Sequence, residues 1–182
     1  MNRITTYIRQ SLQDIYPPEE VKALSMLICC DMLGVDALDI YMGKDIILSA
    51  CKQRELENII FRLQKNEPIQ YIRGYAEFCG RNFRVAPGVL IPRPETAELV
   101  DLIVKENPDA CRLLDIGTGS GCIAISLDKN LPDAKVDAWD ISEEALAIAR
   151  KNNEELDAQV IFRRQDVFSA DGMQGASYDN CQ

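Results

Sequence analysis

Leu113-Leu114-Asp115-Ile116-Gly117-Thr118-Gly119-Ser120-Gly121-Cys122-Ile123-Ala124-Ile125 is the stretch that decides the fold of this 182-residue chain. The apolar run from Cys111 to Ile116, with one acid at its end, predicts a buried parallel strand that stops at a cluster of glycines. An apolar helical pattern follows at once. Strand, glycine turn and helix open a nucleotide-binding α/β unit. Glycines without Cβ let the backbone pass close to a ligand, and N–H groups at the helix start face it.

The spacing of the glycines selects the ligand. A dinucleotide fingerprint wants its third glycine where Cys122 stands, whereas here it comes one residue earlier, as Gly117-x-Gly119-x-Gly121. That departs from the pattern of NAD-binding oxidoreductases. Further on, Lys135-Val136-Asp137-Ala138-Trp139-Asp140 predicts a second strand ending in an acid, where such folds hold a ribose-binding carboxylate. Asp140 is the candidate, since one carboxylate can accept from both ribose hydroxyls. A plainer reading makes the glycines a tight turn and Asp140 a strand-end residue. Against it stands the agreement of strand, helix and second-strand acid with the motif's order. The Asp-x-Gly-x-Gly-x-Gly turn beginning at Asp115, with this downstream acid, resembles the class I S-adenosylmethionine-dependent methyltransferases.

Composition narrows the alternatives. A hydrophobic fraction of 47% with 27% charged residues belongs to a globular chain that can bury a core. No apolar run approaches a membrane span, and Met1-Asn2-Arg3 leads into a polar, amphipathic segment and not a signal peptide, so a cytoplasmic home is expected. The formal net charge of -9 argues against a protein that coats nucleic acid. Seven cysteines, Cys29, Cys30, Cys51, Cys79, Cys111, Cys122 and Cys181, contain no Cys-x-x-Cys pair and read as reduced, mostly buried small hydrophobes. There is no histidine, which removes Ser-His-Asp hydrolysis, Cys-His proteolysis and His-ligated metal catalysis together.

Along the chain, Ile4, Tyr7, Ile8, Leu12 and Ile15 predict an amphipathic helix from Arg3 to Ile15. Pro17-Pro18 stop it, and Val21, Leu24, Ile28 and Met32 stripe a second helix that Gly34 closes. A short segment from Asp36 to Met42 and a longer helix from Ser49 to Lys65 complete a small all-helical domain. At Glu67-Pro68 the period changes. Tyr75 to Val85 alternates around Phe78, Phe83 and Val85 and predicts a β-hairpin with Gly80-Arg81-Asn82 as its turn. Pro87-Gly88 is a second turn, followed by a brief extended piece, Val89-Leu90-Ile91. Two prolines in Ile91-Pro92-Arg93-Pro94-Glu95-Thr96 hold extended backbone and then admit a helix from Glu95 to Glu106, buried through Leu99, Val100 and Ile103. Ser142 reads as the N-cap of a helix to Asn152, and Val160-Ile161-Phe162 as a third strand. Asp166, just beyond it, reads either as an acceptor for an adenine amino group or as a loop acid.

The segments Glu67-Pro68-Ile69-Gln70-Tyr71-Ile72-Arg73-Gly74, Phe83-Arg84-Val85 and Leu90-Ile91-Pro92-Arg93-Pro94-Glu95-Thr96, followed by the glycine turn, resemble one methyltransferase family closely. That family is the HemK/PrmC proteins, the peptide chain release factor N(5)-glutamine methyltransferases. The resemblance extends to Phe168. It implies an α/β fold with a helical substrate-recognition domain (residues 1–74), a β-hairpin linker (75–92) and an incomplete class I, Rossmann-like methyltransferase domain (93–182). It implies S-adenosylmethionine as cofactor, held by Asp115, Gly117, Thr118, Gly119, Ser120, Gly121, Asp140, Asp166 and Val167. Some relatives carry an aromatic residue at the position of Val167. Arg93, Pro94, Glu95 and Thr96 border the substrate channel in the same picture, with Arg93 reading equally as a structural clamp.

The reaction implied is methylation of the glutamine side-chain amide in the Gly-Gly-Gln motif of release factors, with no metal, no direct nucleic-acid contact and no membrane. The family's Asn-Pro-Pro-Tyr motif, which accepts hydrogen bonds from the substrate amide, is absent: Tyr178-Asp179 is followed by Asn180-Cys181-Gln182. No catalytic residue is therefore assigned, and the chain is expected to be inactive alone, with an open sheet edge that makes it poorly stable. A non-catalytic release-factor-binding module is the alternative from a different class.

Overall fold

The computed structural model describes residues 2–109 and 112–168. Two compact units meet in sequence between Arg73 and Gly74.

In the first unit the side chains of Asn2, Asp36 and Ser49 cap helix starts. Asn2 Oδ1 accepts from the Ile4 N–H at 2.8 Å to open α1 (Arg3–Leu12), which buries Ile4, Ile8 and Leu12. The helix ends a turn short of the expected Ile15, which is exposed, because Pro17 disfavours helical backbone in the residue before it. Pro18 occupies the first turn of α2 (Pro18–Leu27), which passes into one π-helical turn, Ile28–Met32. Apolar periodicity did not signal that turn, since it leaves Ile28 and Cys29 on the same buried stripe. Asp36 caps the short α3 (Ala37–Tyr41), and Ser49 caps α4 (Ala50–Leu63), whose Leu56, Ile59, Ile60 and Leu63 are all buried. A further short helix, α5 (Ile69–Arg73), follows Pro68 and was not foreseen. Isoleucines and leucines of α1, α2 and α4 make the core, and the Tyr16 hydroxyl donates to the Leu63 carbonyl at 2.8 Å across it.

The second unit opens on the hairpin of β1 (Tyr75–Phe78) and β2 (Arg81–Arg84), in which Phe78 pairs with Arg81. The turn is therefore the two residues Cys79-Gly80, not Gly80-Arg81-Asn82. Both have positive φ, 47° and 69°, as a type I′ turn requires to match strand twist. A cysteine at positive φ hides that signal from sequence. Phe78 and Phe83 meet edge to face, ring centroids 6.0 Å apart, and belong to this unit's core. Val89-Leu90-Ile91 forms no strand: Val89 closes a turn onto the Ala86 carbonyl and is buried, while Leu90 is exposed. α6 (Pro94–Glu106) buries Val100 fully but leaves Leu99 about half exposed, contrary to its expected burial.

Then β3 (Arg112–Ile116), α7 (Cys122–Asn130), β4 (Lys135–Asp140), α8 (Glu143–Glu155) and β5 (Ile161–Arg164) alternate. The three strands are parallel in the order β3-β4-β5. This is half of a doubly wound sheet, and among the described residues β3 pairs with β4 alone. Asp137, buried on β4, is matched by the guanidinium groups of Arg112 on β3 at 3.3 Å and Arg163 on β5 at 3.6 Å. The expected strand residue Cys111 and the segment Tyr178-Asp179-Asn180 lie outside the described residues. Of the cysteines, Cys29 and Cys122 are buried as expected, and burial pushes both thiols up to about 11, whereas Cys51 is exposed.

Candidate functional site

The loop from β3 into α7 is shaped by three glycines with positive φ: 78° at Gly117, 56° at Gly119 and 79° at Gly121. Their surroundings separate them into two kinds. A Cβ built on Gly117 or Gly119 meets nothing within 4 Å, so these two face open space. One on Gly121 would lie 3.2 Å from Ala149 Cβ, Ile125 Cδ1 and Phe162 Cζ, so Gly121 lets α7 pack against α8 and β5.

The loop's N–H groups are largely committed to the protein. Those of Gly117 and Thr118 both donate to the Trp139 carbonyl of β4, at 2.8 and 3.0 Å, and that of Gly121 donates to the Thr118 carbonyl at 2.9 Å. The Gly119 N–H donates to Asp140 Oδ2 at 2.9 Å, while the Ser142 N–H donates to Asp140 Oδ1, also at 2.9 Å. One backbone donor on each oxygen orients the Asp140 carboxylate beside the glycine loop. A carboxylate offers roughly four acceptor positions, so about two remain for a ligand's hydroxyls.

Asp115, near the end of β3, stands where the chain enters the loop. Its Oδ2 accepts from the Thr118 hydroxyl at 2.7 Å, and its carboxylate also accepts from the Ala124 N–H in the first turn of α7. Burial pushes its carboxyl above the usual carboxylate range; these two donors pull it back, and the negative charge of Asp140 adds to the rise. An acid already occupies the helix start, where a dinucleotide's pyrophosphate would need free N–H groups. Two neighbouring carboxylates instead favour a ligand carrying hydroxyls and positive charge, and the donor set fits S-adenosylmethionine, with its ribose, ammonium and sulfonium.

The segment after β5 is brought to the same place. The Gln165 N–H donates to the Asp140 carbonyl at 3.0 Å. Asp166 is exposed, with Oδ1 accepting from the Phe168 N–H at 2.9 Å, and Val167 and Phe168 are exposed beside it. Arg93, Pro94 and Glu95 are exposed at the start of α6, Thr96 is half-buried, and the Thr96 N–H donates to the Arg93 carbonyl at 3.0 Å. Among the described residues no hydrogen bond or ion pair joins these four side chains to the glycine loop. Sequence reasoning missed Trp139, whose carbonyl anchors two loop amides, and Asn152, which is buried in α8. Asn152 was detectable: it continues the buried stripe Ala145, Leu146, Ala149, where an apolar residue is expected. Among the described residues no group of three His, Cys, Asp or Glu side chains could hold a metal ion, and no helix is long and apolar enough to cross a membrane.

Residues 4–74 match the PrmC N-terminal domain and residues 95–180 the methyltransferase small domain. The release factor glutamine methyltransferase of Bacteroides thetaiotaomicron is 97% identical over 179 residues, which cover 98% of this chain and 64% of that protein. The protein of the same description from Flavobacterium psychrophilum is 38% identical over 173 residues, covering 92% of this chain and 61% of its own length. The chain thus spans somewhat under two thirds of these relatives. A solved tRNA (uracil-54, C5)-methyltransferase of Pyrococcus abyssi, in complex with S-adenosyl-L-homocysteine, overlaps 50% of this chain and 23% of its own. Its TM-score is 0.43 at 20% identity, too partial a likeness to add weight. With one family domain over the helical unit, another over the glycine loop, and near-identity to a relative along almost its whole length, the chain belongs to the HemK/PrmC family.

Proposed function

We propose that this chain carries the cofactor-binding half and the recognition domain of a release factor glutamine methyltransferase, acting on the Gly-Gly-Gln glutamine of peptide chain release factors in the cytoplasm. In this reading S-adenosylmethionine supplies an electrophilic sulfonium methyl group. Asp140 accepts from the ribose hydroxyls, the open faces of Gly117 and Gly119 admit the sugar and the amino-acid tail, and Asp115 faces the cofactor's positive charge. Thr118, Ser120 and Gly121 hold the loop's shape. Asp166 and Val167 border the adenine. Arg93, Pro94, Glu95 and Thr96 line the approach of the substrate, and residues 1–74 recognise the release factor, with 75–92 leading into the methyltransferase domain at 93–182.

The chemistry calls for such a division. An amide nitrogen is a poor nucleophile because its lone pair is delocalised into the carbonyl, so catalysis is mainly placement in line with the methyl group and acceptance of its N–H bonds. A rigid loop that fixes the donor is the first requirement. The observation that carries the reading is the Asp140 carboxylate bonded to the Gly119 N–H at 2.9 Å, turned toward the loop with acceptor capacity in reserve. Calorimetric titration of the chain tests it. Saturable heat with S-adenosylmethionine and none with NADH is expected, and Asp140→Ala weakens binding about a hundredfold, as expected for losing hydrogen bonds to a charged acceptor. A blank with S-adenosylmethionine overturns the reading. The substrate half is tested by retention of a purified release factor on immobilised chain, and no retention would remove it.

A further inference from the structure

Asn152 is 1% exposed, lies in α8, and carries a polar side chain where its neighbours on the stripe are apolar. All its amide groups are engaged. Oδ1 accepts from the Arg84 N–H at 2.7 Å, and Nδ2 donates to the Arg84 carbonyl at 3.1 Å and to the Ser120 carbonyl at 2.8 Å. One side chain therefore mimics a strand partner for the end of β2 and, with its other donor, fixes the middle of the glycine loop. A buried amide with both N–H groups used is costly to replace, and its partners lie 68 and 32 residues away along the chain. Arg84 is tied to the same helix a second time by an ion pair with Glu155 at 2.6 Å, but that pair is exposed. It does not reach the loop.

We propose that Asn152 is a positioning residue for the cofactor loop: it fastens Ser120 to the hairpin strand β2, so that the loop keeps its binding shape before any ligand arrives. The inference rests on the loop being the S-adenosylmethionine site. Its consequence is that the hairpin and the cofactor loop move as one body, and that cutting the shared amide loosens the loop without touching a ligand-facing group.

The test compares Asn152→Ala, Asn152→Asp and Arg84→Ala in the full chain, by amide hydrogen exchange across residues 117–121 without ligand and by calorimetry with S-adenosylmethionine. Asn152→Ala is expected to speed exchange in the loop and to weaken binding, each about tenfold, while Arg84→Ala, which keeps its backbone N–H and carbonyl, stays within about twofold of the parent in both. Asn152→Asp is expected to behave like Asn152→Ala at pH 8. It regains several-fold affinity and protection at pH 5, because desolvation at this 1% exposed position raises a carboxyl's hold on its proton and the protonated form can again donate one bond, a recovery that the alanine variant lacks. If Asn152→Ala fails to fold, the pH dependence of Asn152→Asp decides. Unchanged loop exchange in a folded Asn152→Ala, equal effects from Arg84→Ala, or no pH-dependent recovery in Asn152→Asp overturns the proposal. If the parent binds no S-adenosylmethionine, the functional reading fails, while the exchange data still decide whether Asn152 holds the loop.

Discussion

The two units bury different kinds of residue. In the helical unit the core is almost wholly isoleucine and leucine from α1, α2 and α4, with Asn2 and Ser25 as its buried polar members. The Ser25 hydroxyl donates to the Val21 carbonyl one turn back, whereas Asn2 both caps α1 and, through Nδ2, donates to the Lys44 carbonyl at 2.8 Å. The second unit buries Thr118, Ser120, Ser126, Asp137 and Asn152; the side chains of Asp137 and Asn152 join segments far apart in the chain, while the Thr118 hydroxyl donates to Asp115 three residues away. Helices satisfy their backbone locally, so the first unit is held chiefly by an apolar stripe on each, with the Asn2 and Tyr16 side chains donating across it. A parallel sheet lays distant segments side by side, and in the second unit Asp137 and Asn152 bridge them with an ion pair and a side-chain amide.

Removing one side chain from each core gives the largest expected contrast. Phe83→Ala, fully buried against Phe78, is expected to cost about 3–5 kcal/mol, and Leu56→Ala in the helical unit about 2–5 kcal/mol. Urea unfolding followed by the fluorescence of the single tryptophan, Trp139, which lies in the second unit, should lose its cooperative transition in Phe83→Ala. A transition kept at the parent midpoint would show that the hairpin contributes little to that unit.

The glycines sharpen the contrast within the loop. Gly121→Ala is expected to cost about 2–4 kcal/mol, adding left-handed strain to overpacking against Ala149, Ile125 and Phe162, whereas Gly117→Ala costs about 1–2 kcal/mol from backbone strain alone. Equal losses in denaturant midpoint would remove the distinction between a packing glycine and an open one.

A smaller effect tests the acid at the helix start. Because the folded chain holds the Asp115 proton more tightly than the unfolded chain does, this group's contribution is full below the ordinary carboxylate range. It is lost as pH rises through the raised folded value. Asp115→Asn, neutral throughout, should therefore gain on the parent in Tm between pH 4 and pH 7, on the order of a few degrees. A Tm difference independent of pH would show that the surroundings do not raise the carboxyl's hold on its proton. Smallest of all, Ser142→Ala removes the cap whose Oγ accepts from the Ala145 N–H at 3.2 Å. It should cost about 1 kcal/mol, and a loss much below that in thermal unfolding would mean that Asp140, which accepts from the Ser142 N–H, anchors the start of α8 without the cap.

Much of the fold is legible in local pattern. The stripe of α4, the strand from Lys135 to Asp140 and the Ser142 cap all follow from periodicity and capping chemistry. The errors are also local and have physical causes. The hairpin turn shifted to Cys79-Gly80 because a non-glycine residue took positive φ there. Leu99 counted as buried because α6 has apolar residues on more than one face, and periodicity cannot say which face finds a partner. Among the candidate site residues, the motif brings Asp115, Gly117, Gly119 and Asp140 together around one loop, as the structure does, but it treats alike three glycines that the packing separates.

Sequence alone determined the order of elements, the glycine loop, the acid ending the second strand and the absence of any histidine, because these are properties of neighbouring residues. Tertiary structure alone decided which loop amides are spent on the Trp139 carbonyl, which face open space, and that Asn152 joins Arg84 to Ser120. A hydrogen bond between segments tens of residues apart has direction and length but no period, so it leaves no repeating trace along the chain. It exists only once the strands have been laid side by side.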